Sequence, residues 1–149
     1  MPSTKSKTKP APSPNPQQSK YQAFTTETVR RVDLVGAPYN PRVLTEDAKR
    51  RLKASLQKVG LVQPIVWNKK TGNVVGGHQR LKQLDALEGS SDYTLTVAVL
   101  DVDEVREKEI NVLLNNTLVS GDWDYDALKS VLNSEGMDIE ATGFDLAKP

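Results

Sequence analysis

The sequence predicts a small α+β domain behind a disordered N-terminal tail, and three observations predict it. Strand-like and helix-like segments are mixed without the regular strand–helix–strand rhythm of a doubly wound sheet. The length of 149 residues suits one domain. The first twenty residues, MPSTKSKTKPAPSPNPQQSK, hold five of the nine prolines and four lysines with no acid. Such a composition buries too little apolar surface to offset the entropy of ordering. We expect a basic tail over residues 1–20, a domain over 21–136 and a C-terminal extension over 137–149.

Within the domain, the β-branched run Val29 to Val35, closed by Gly36, predicts a first strand. Two prolines in Ala37-Pro38-Tyr39-Asn40-Pro41-Arg42 then force extended backbone. Thr45 is a helix N-cap with Glu46 and Asp47 in the first turn, where the helix dipole favours acids. Ala48, Leu52, Leu56 and Val59 form its buried face, and Gly60 ends it. Leu61 to Trp67 reads as a strand with Pro64 at an edge or bend, and Asn68 to Gly72 as a hairpin turn into Asn73-Val74-Val75.

A second helix follows from Arg80 to Leu87, with Leu81 and Leu84 inward and Gly89 as its stop. Thr94 to Leu100 alternates as another strand. Asp103 caps a third helix whose apolar side carries Val105, Ile110, Leu113 and Leu114. Asp122 or Asp124 opens a fourth, through Leu128 and Leu132, ending near Gly136.

Composition removes several functions. With no cysteine, disulfides, thiolate catalysis and cysteine-ligated zinc are excluded. A single histidine, His78, excludes any site built on two imidazoles. No apolar run approaches the roughly 18 residues of a membrane span, and no signal-peptide core is present; a cytoplasmic protein without a membrane partner is the expectation. The net charge of +1 is a sum of unlike parts: +4 in the tail, +5 over residues 21–100 and −8 over 101–149. A uniformly basic nucleic-acid coat is thereby excluded, and a basic front half is not. Asp122-x-Asp124-x-Asp126 has metal-loop spacing, but Ala127 and Asn133 stand where an EF-hand needs glycine and an acid. No metal site is expected there.

The segment with a specific physical logic is Asn73-Val74-Val75-Gly76-Gly77-His78-Gln79-Arg80. A strand runs through two glycines directly into a helix. Glycines let a ligand approach the backbone, and the first helical N–H groups are free donors at the positive end of the dipole. Arg80 in a first turn opposes that dipole unless it serves an anion. The segment is a phosphate site or simply a tight strand-to-helix turn. His78 has two readings: an acid, base or phosphoryl acceptor at the mouth of the site, or a polar helix-start residue bonded to phosphate or to the Pro38–Arg42 loop.

Three blocks resemble a known family. Asn40-Pro41-Arg42, the helix ending Val59-Gly60-Leu61-Val62-Gln63-Pro64-Ile65-Val66, and Val74-Val75-Gly76-Gly77-His78-Gln79-Arg80 are similar, in order and spacing, to the ParB N-terminal/sulfiredoxin superfamily. The resemblance spans roughly residues 28–133. The Asp103 helix followed by Leu118-Val119-Ser120-Gly121-Asp122-Trp123-Asp124 is also similar to the stand-alone ParB-like domains of phages and mobile elements. It implies a compact ParB/sulfiredoxin-like fold.

The family's Gly-Glu-Arg-Arg segment binds a nucleotide triphosphate at a helix start. Gly77, Gln79 and Arg80 fall on its first, third and fourth places, and His78 replaces the glutamate. In sulfiredoxins a cysteine stands where His78 is, so that activity is ruled out. The resemblance implies a phosphate cradle of Gly76, Gly77, Gln79 and Arg80, with Arg42 reaching the pocket and Gln63 on its floor. His78 is the candidate catalytic residue. It also implies an NTP, CTP or ATP, with Mg²⁺, and DNA without sequence specificity or a protein as partners. The expected function is a nucleotide-binding, DNA-associated ParB-like domain of phage or mobile-element type, in the host cytoplasm if phage-encoded, with hydrolysis left open. A ParB-like nuclease and a non-enzymatic adaptor are the alternatives. The chain ends at Pro149 with room for neither the reading head nor the dimerisation domain of centromere-binding ParB, so sequence-specific readout is not expected.

Overall fold

The computed structural model describes residues 11–40 and 42–144. The first ten residues of the expected tail lie outside the described residues, as do Pro41 and residues 145–149; residues 11–20 have no helix or strand and are exposed throughout. Five strands form one mixed sheet: β1 Thr25–Arg30, β2 Val35–Gly36, β3 Val66–Asn68, β4 Asn73–Gly76 and β5 Thr94–Leu100. Their order across the sheet is β1-β5-β3-β4-β2. β1 runs antiparallel to β5, β5 parallel to β3, β3 antiparallel to β4 and β4 parallel to β2. With helices α1 Glu46–Val59, α2 His78–Glu88, α3 Glu104–Asn115 and α4 Tyr125–Leu132, this is the α+β class.

Several elements form for the reasons the residues suggest. Thr45 caps α1 by accepting from the Ala48 N–H at 3.1 Å, Asp103 caps α3 through Arg106, and Asp124 caps α4 through Ala127. The β3–β4 hairpin is closed by Gly72 N–H donating to the Asn68 carbonyl and by the Trp67 indole donating to the Gly72 carbonyl.

Other expectations need correction. The Val29–Val35 strand is instead β1, four residues earlier at its start, followed by a 3₁₀ turn over Arg31–Asp33 and the short β2. Arg31 pulls the chain aside there, because its guanidinium grips Asp85 of α2 with two bonds of 2.9 Å and donates to the Leu34 carbonyl. Leu61 to Ile65 is not strand; β3 begins only after Pro64, which cannot donate to a ladder. α2 starts at His78, two residues before Arg80. Val59 is exposed at the end of α1.

The core gathers Leu34, Ile65, Val74, Leu81, Val97 and Val99 on one face of the sheet, where α2 contributes Leu81 and α1 packs against α2. The opposite face carries the larger correction. α3 lies there, but Val105, Leu113 and Leu114 are half or more exposed, whereas Glu107 and Asn111 are buried. Asn68 of β3 donates to Glu107 at 2.8 Å, and Asn111 donates to the Val75 carbonyl of β4 at 3.0 Å. The helix is thus seated by hydrogen bonds rather than by an apolar stripe. Residues 138–143 run along α1: Ser55 donates to the Ala141 carbonyl at 2.7 Å, and Lys58 pairs with Asp138 and Glu140.

Candidate functional site

β4 ends at Gly76, and the chain turns through Gly77 straight into α2. Both glycines are crowded, and at Gly77 the neighbour is a fully buried core side chain. A Cβ on Gly76 would stand 2.9 Å from Leu114 of α3, and one on Gly77 would stand 2.6 Å from Ile65. Gly77 also has φ +95, a left-handed conformation that costs an L side chain about 1–2 kcal/mol. No side chain caps α2, so its first-turn N–H groups keep the donor capacity of an open helix start.

This turn forms one wall of a cleft of about 330 Å³, within the size range of small-ligand sites. Gly76, Gly77, His78, Gln79 and Arg80 line it, together with Arg42 from the loop before α1 and Gln63 from the segment before β3. The structure therefore brings every sequence-predicted site residue to one concavity. It adds Asn40, Leu44 and Leu52 near α1, Pro64 and Val66 beside β3, and Leu114 and Asn115 at the end of α3.

The cleft is cationic. Arg80 donates to the Gln63 backbone carbonyl, and Arg42 reaches the Asn115 side-chain oxygen at 3.5 Å. Neither guanidinium has a carboxylate partner among the described residues, and no carboxylate is among the residues that line the cleft. Burial, and then the nearby charge of Arg42, lower the pKa of Arg80. Arginine nevertheless remains charged. Two like charges held on one cleft, beside the positive end of a helix, suit an oligo-anion.

His78 sits at the rim with Nε2 accepting the Ala37 N–H at 3.2 Å. A backbone N–H only donates, so Nε2 is the acceptor and the neutral ring carries its proton on Nδ1. Burial, reinforced by Lys82, lowers its pKa and favours that neutral form. Of the two readings of His78, the hydrogen bond to the loop is present, one residue ahead of the Pro38–Arg42 stretch.

Sequence reasoning missed the support behind the cleft. Glu107 is fully buried and accepts from Asn68, Thr71, Asn73 and Tyr39. Burial alone would raise this carboxyl, but the hydrogen bonds from Thr71, Tyr39, Asn68 and Asn73 outweigh it and hold the pKa below the ordinary value. The signal was the polar stripe Glu107, Asn111 and Asn115 at four-residue spacing on α3, one helix face. Within Asp122-x-Asp124-x-Asp126, the middle carboxylate is taken up as the α4 cap.

No family model matches the sequence, and no curated protein matches it. Solved structures do match. The C-terminally truncated chromosome-partitioning protein ParB from Caulobacter crescentus, complexed with CTP-γ-S, superposes with a TM-score of 0.62 at 20% identity. That match covers 81% of this chain and 72% of that one. A Pnob8-like ParB-N domain superposes with a TM-score of 0.50 at 18% identity, over 61% of this chain and 35% of that chain. The fold is that of a ParB N-terminal domain. Among the described residues, no helix is long and apolar enough to cross a membrane.

Proposed function

We propose that this chain, with its ParB N-terminal-like fold, is a nucleotide-binding module that takes a nucleoside triphosphate in the cleft at the start of α2. The observation that carries the reading is convergence. Arg42, Gln63 and Gly76–Arg80, separate in sequence, line one ligand-sized cleft that contains two guanidiniums and no carboxylate. The phosphates would lie against the N–H groups of α2 and between Arg80 and Arg42, where charge-assisted bonds are strongest. CTP is the first nucleotide to test and ATP the second, because the ParB structure that resembles this chain is complexed with CTP-γ-S.

Mg²⁺ would enter on the phosphates and neutralise part of their charge. The protein offers it only amide oxygens, such as those of Asn40, Gln63 and Asn115. The module's macromolecular partner in this reading is DNA, bound without sequence readout and aided by the basic tail. The nuclease alternative needs acids at the cleft to hold metal, and none of its lining residues is one.

Titration calorimetry with CTP, ATP and GTP, with and without Mg²⁺, tests the reading. Arg80→Ala is expected to weaken binding about 10- to 100-fold, the worth of a hydrogen bond to a charged group. No saturable binding to any of the three nucleotides would refute the reading. Phosphate release by the same samples separates holding from hydrolysis.

A further inference from the structure

We propose that Tyr39, gripped by the buried carboxylate of Glu107, is a positioning residue for the cleft and sets the place of Asn40 and Arg42 on its wall. The inference rests on the cleft being the nucleotide site. The segment from Ala37 to Asn40 has no regular structure, yet it is tied at both ends. At one end the Ala37 N–H donates to His78 of α2. At the other, the Tyr39 hydroxyl donates to Glu107 of α3. Between them Asn40 N–H donates to the Ala37 carbonyl at 3.2 Å and closes a turn. The two ties therefore reach the two helices that flank the cleft, and the residues they hold end at Asn40, two positions before Arg42.

Arg42 has no comparable anchor of its own. It is exposed, and its guanidinium makes only the long 3.5 Å contact to Asn115 among the described residues. On this proposal the position of that guanidinium follows from where Tyr39 and Asn40, three and two positions earlier in the chain, are pinned. Glu107, by contrast, does not depend on Tyr39. Asn68, Thr71 and Asn73 still donate to it when the tyrosine hydroxyl is gone. Tyr39→Phe thus removes the hydroxyl tie of the loop, keeps the ring against Lys108 and leaves the buried carboxylate served by three donors.

A matched control exists on the same protein. Tyr93, also half-buried, donates its hydroxyl to a carboxylate, Asp85, at 2.8 Å. That pair lies on Arg31 and α2, and neither residue lines the cleft. Tyr93→Phe deletes the same atom from a similar bond with no route to Arg42.

The experiment is calorimetry of the full chain with CTP plus Mg²⁺ and with inorganic tripolyphosphate, at a temperature where circular dichroism shows each variant folded. Tyr39→Phe is expected to weaken both ligands about fivefold, as when the competent loop is populated about a fifth of the time. Tyr93→Phe is expected to change affinity less than about twofold. In an Arg42→Ala background, Tyr39→Phe is expected to have almost no further effect, because the residue it positions is absent. Unchanged affinity in Tyr39→Phe, an equal loss in Tyr93→Phe, or a full additive loss in the double variant would each overturn the proposal while the nucleotide reading stands. Failure of the wild-type protein to bind either ligand would overturn the nucleotide reading, and the proposal with it.

Discussion

Gly77→Ala is the sharpest single perturbation of the cleft, because two separate costs meet at that position. Its φ of +95 lies in the left-handed region, which costs an L residue about 1–2 kcal/mol. The new Cβ would also stand 2.6 Å from Cδ1 of Ile65 and 3.0 Å from the Arg80 guanidinium. Arg80 can swing away, but Ile65 is completely buried in the core, so the backbone or the core must shift. Overpacking of this kind adds about 1–3 kcal/mol, for a total of about 2–5 kcal/mol against a typical domain stability of about 5–15 kcal/mol. Gly89 supplies the comparison: it has φ +73 at the other end of α2, and a methyl group added there would meet nothing within 4 Å. Gly89→Ala therefore bears the backbone cost alone, about 1–2 kcal/mol. Urea unfolding followed by circular dichroism reads both. If the two variants unfold at the same midpoint, the close approach of Ile65 to the turn is wrong, and with it the argument that the turn is sterically fixed.

Three further outcomes follow from the same structure. His78 is held neutral by burial and by Lys82, while in the unfolded chain it protonates near 6.5. The unfolded state therefore takes up more protons, and this stability, full above pH 6.5, is lost as pH falls toward the lowered folded value; thermal melts from about pH 7 to about pH 5.5 should show a slope that His78→Gln reduces. Glu107→Ala strips the acceptor from Asn68, Thr71, Asn73 and Tyr39 and is expected to cost at least about 3 kcal/mol in urea unfolding; a loss under about 1 kcal/mol would contradict the buried network. Val105→Ser and Val112→Ser, on the exposed side of α3, are expected to change stability by no more than about 0.5 kcal/mol, whereas a larger loss would put that side in the core.

Much of the fold is legible wherever local chemistry decides the outcome. The caps Thr45 and Asp103, and Asp124 as one of the two residues expected to open α4, act through their own side chains within one turn, so their positions can be read without the rest of the molecule. β5 matches its expected Thr94–Leu100 bounds because β-branched alternation and its flanking turns agree. The errors fall where a distant partner overrides the local pattern. Val29 to Val35 breaks because Arg31 turns to Asp85, 54 residues away. α3 turns its polar face inward, against the expectation from its apolar residues, because the sheet offers it the side chains of Asn68, Thr71 and Asn73 and the carbonyl of Val75. Buried polar residues held by hydrogen bonds leave no hydrophobic signature. Of the candidate site, Gly76, Gly77 and Arg80 are legible because glycines before a helix, followed by an arginine, violate two local preferences together, whereas Arg42 and Gln63 enter only through the family resemblance. Tyr39 is not legible, because its partner is 68 positions away.

The distribution of charge explains why an anion suits this cleft more than chance placement of arginines would. Among the described residues Arg31, Arg50, Arg51 and Arg106 each face a carboxylate; Arg42, Arg80 and the exposed Arg30 do not, and Arg42 and Arg80 are near enough for one charge to depress the pKa of the other. Neutralising either would be easy in a chain whose last 49 residues carry a net charge of −8. Yet among the described residues the members of that acidic stretch lining the cleft are Leu114 and Asn115, both neutral, and Glu107 of the same helix is engaged by Tyr39 and the sheet. Because arginine does not shed its proton, the repulsion persists as long as the cleft holds no anion. A bound anion relieves that repulsion and gains two charge-assisted partners at once. Under the proposed function, the cost of leaving the pair unmatched would be returned when the triphosphate binds, which is the electrostatic form of preorganisation.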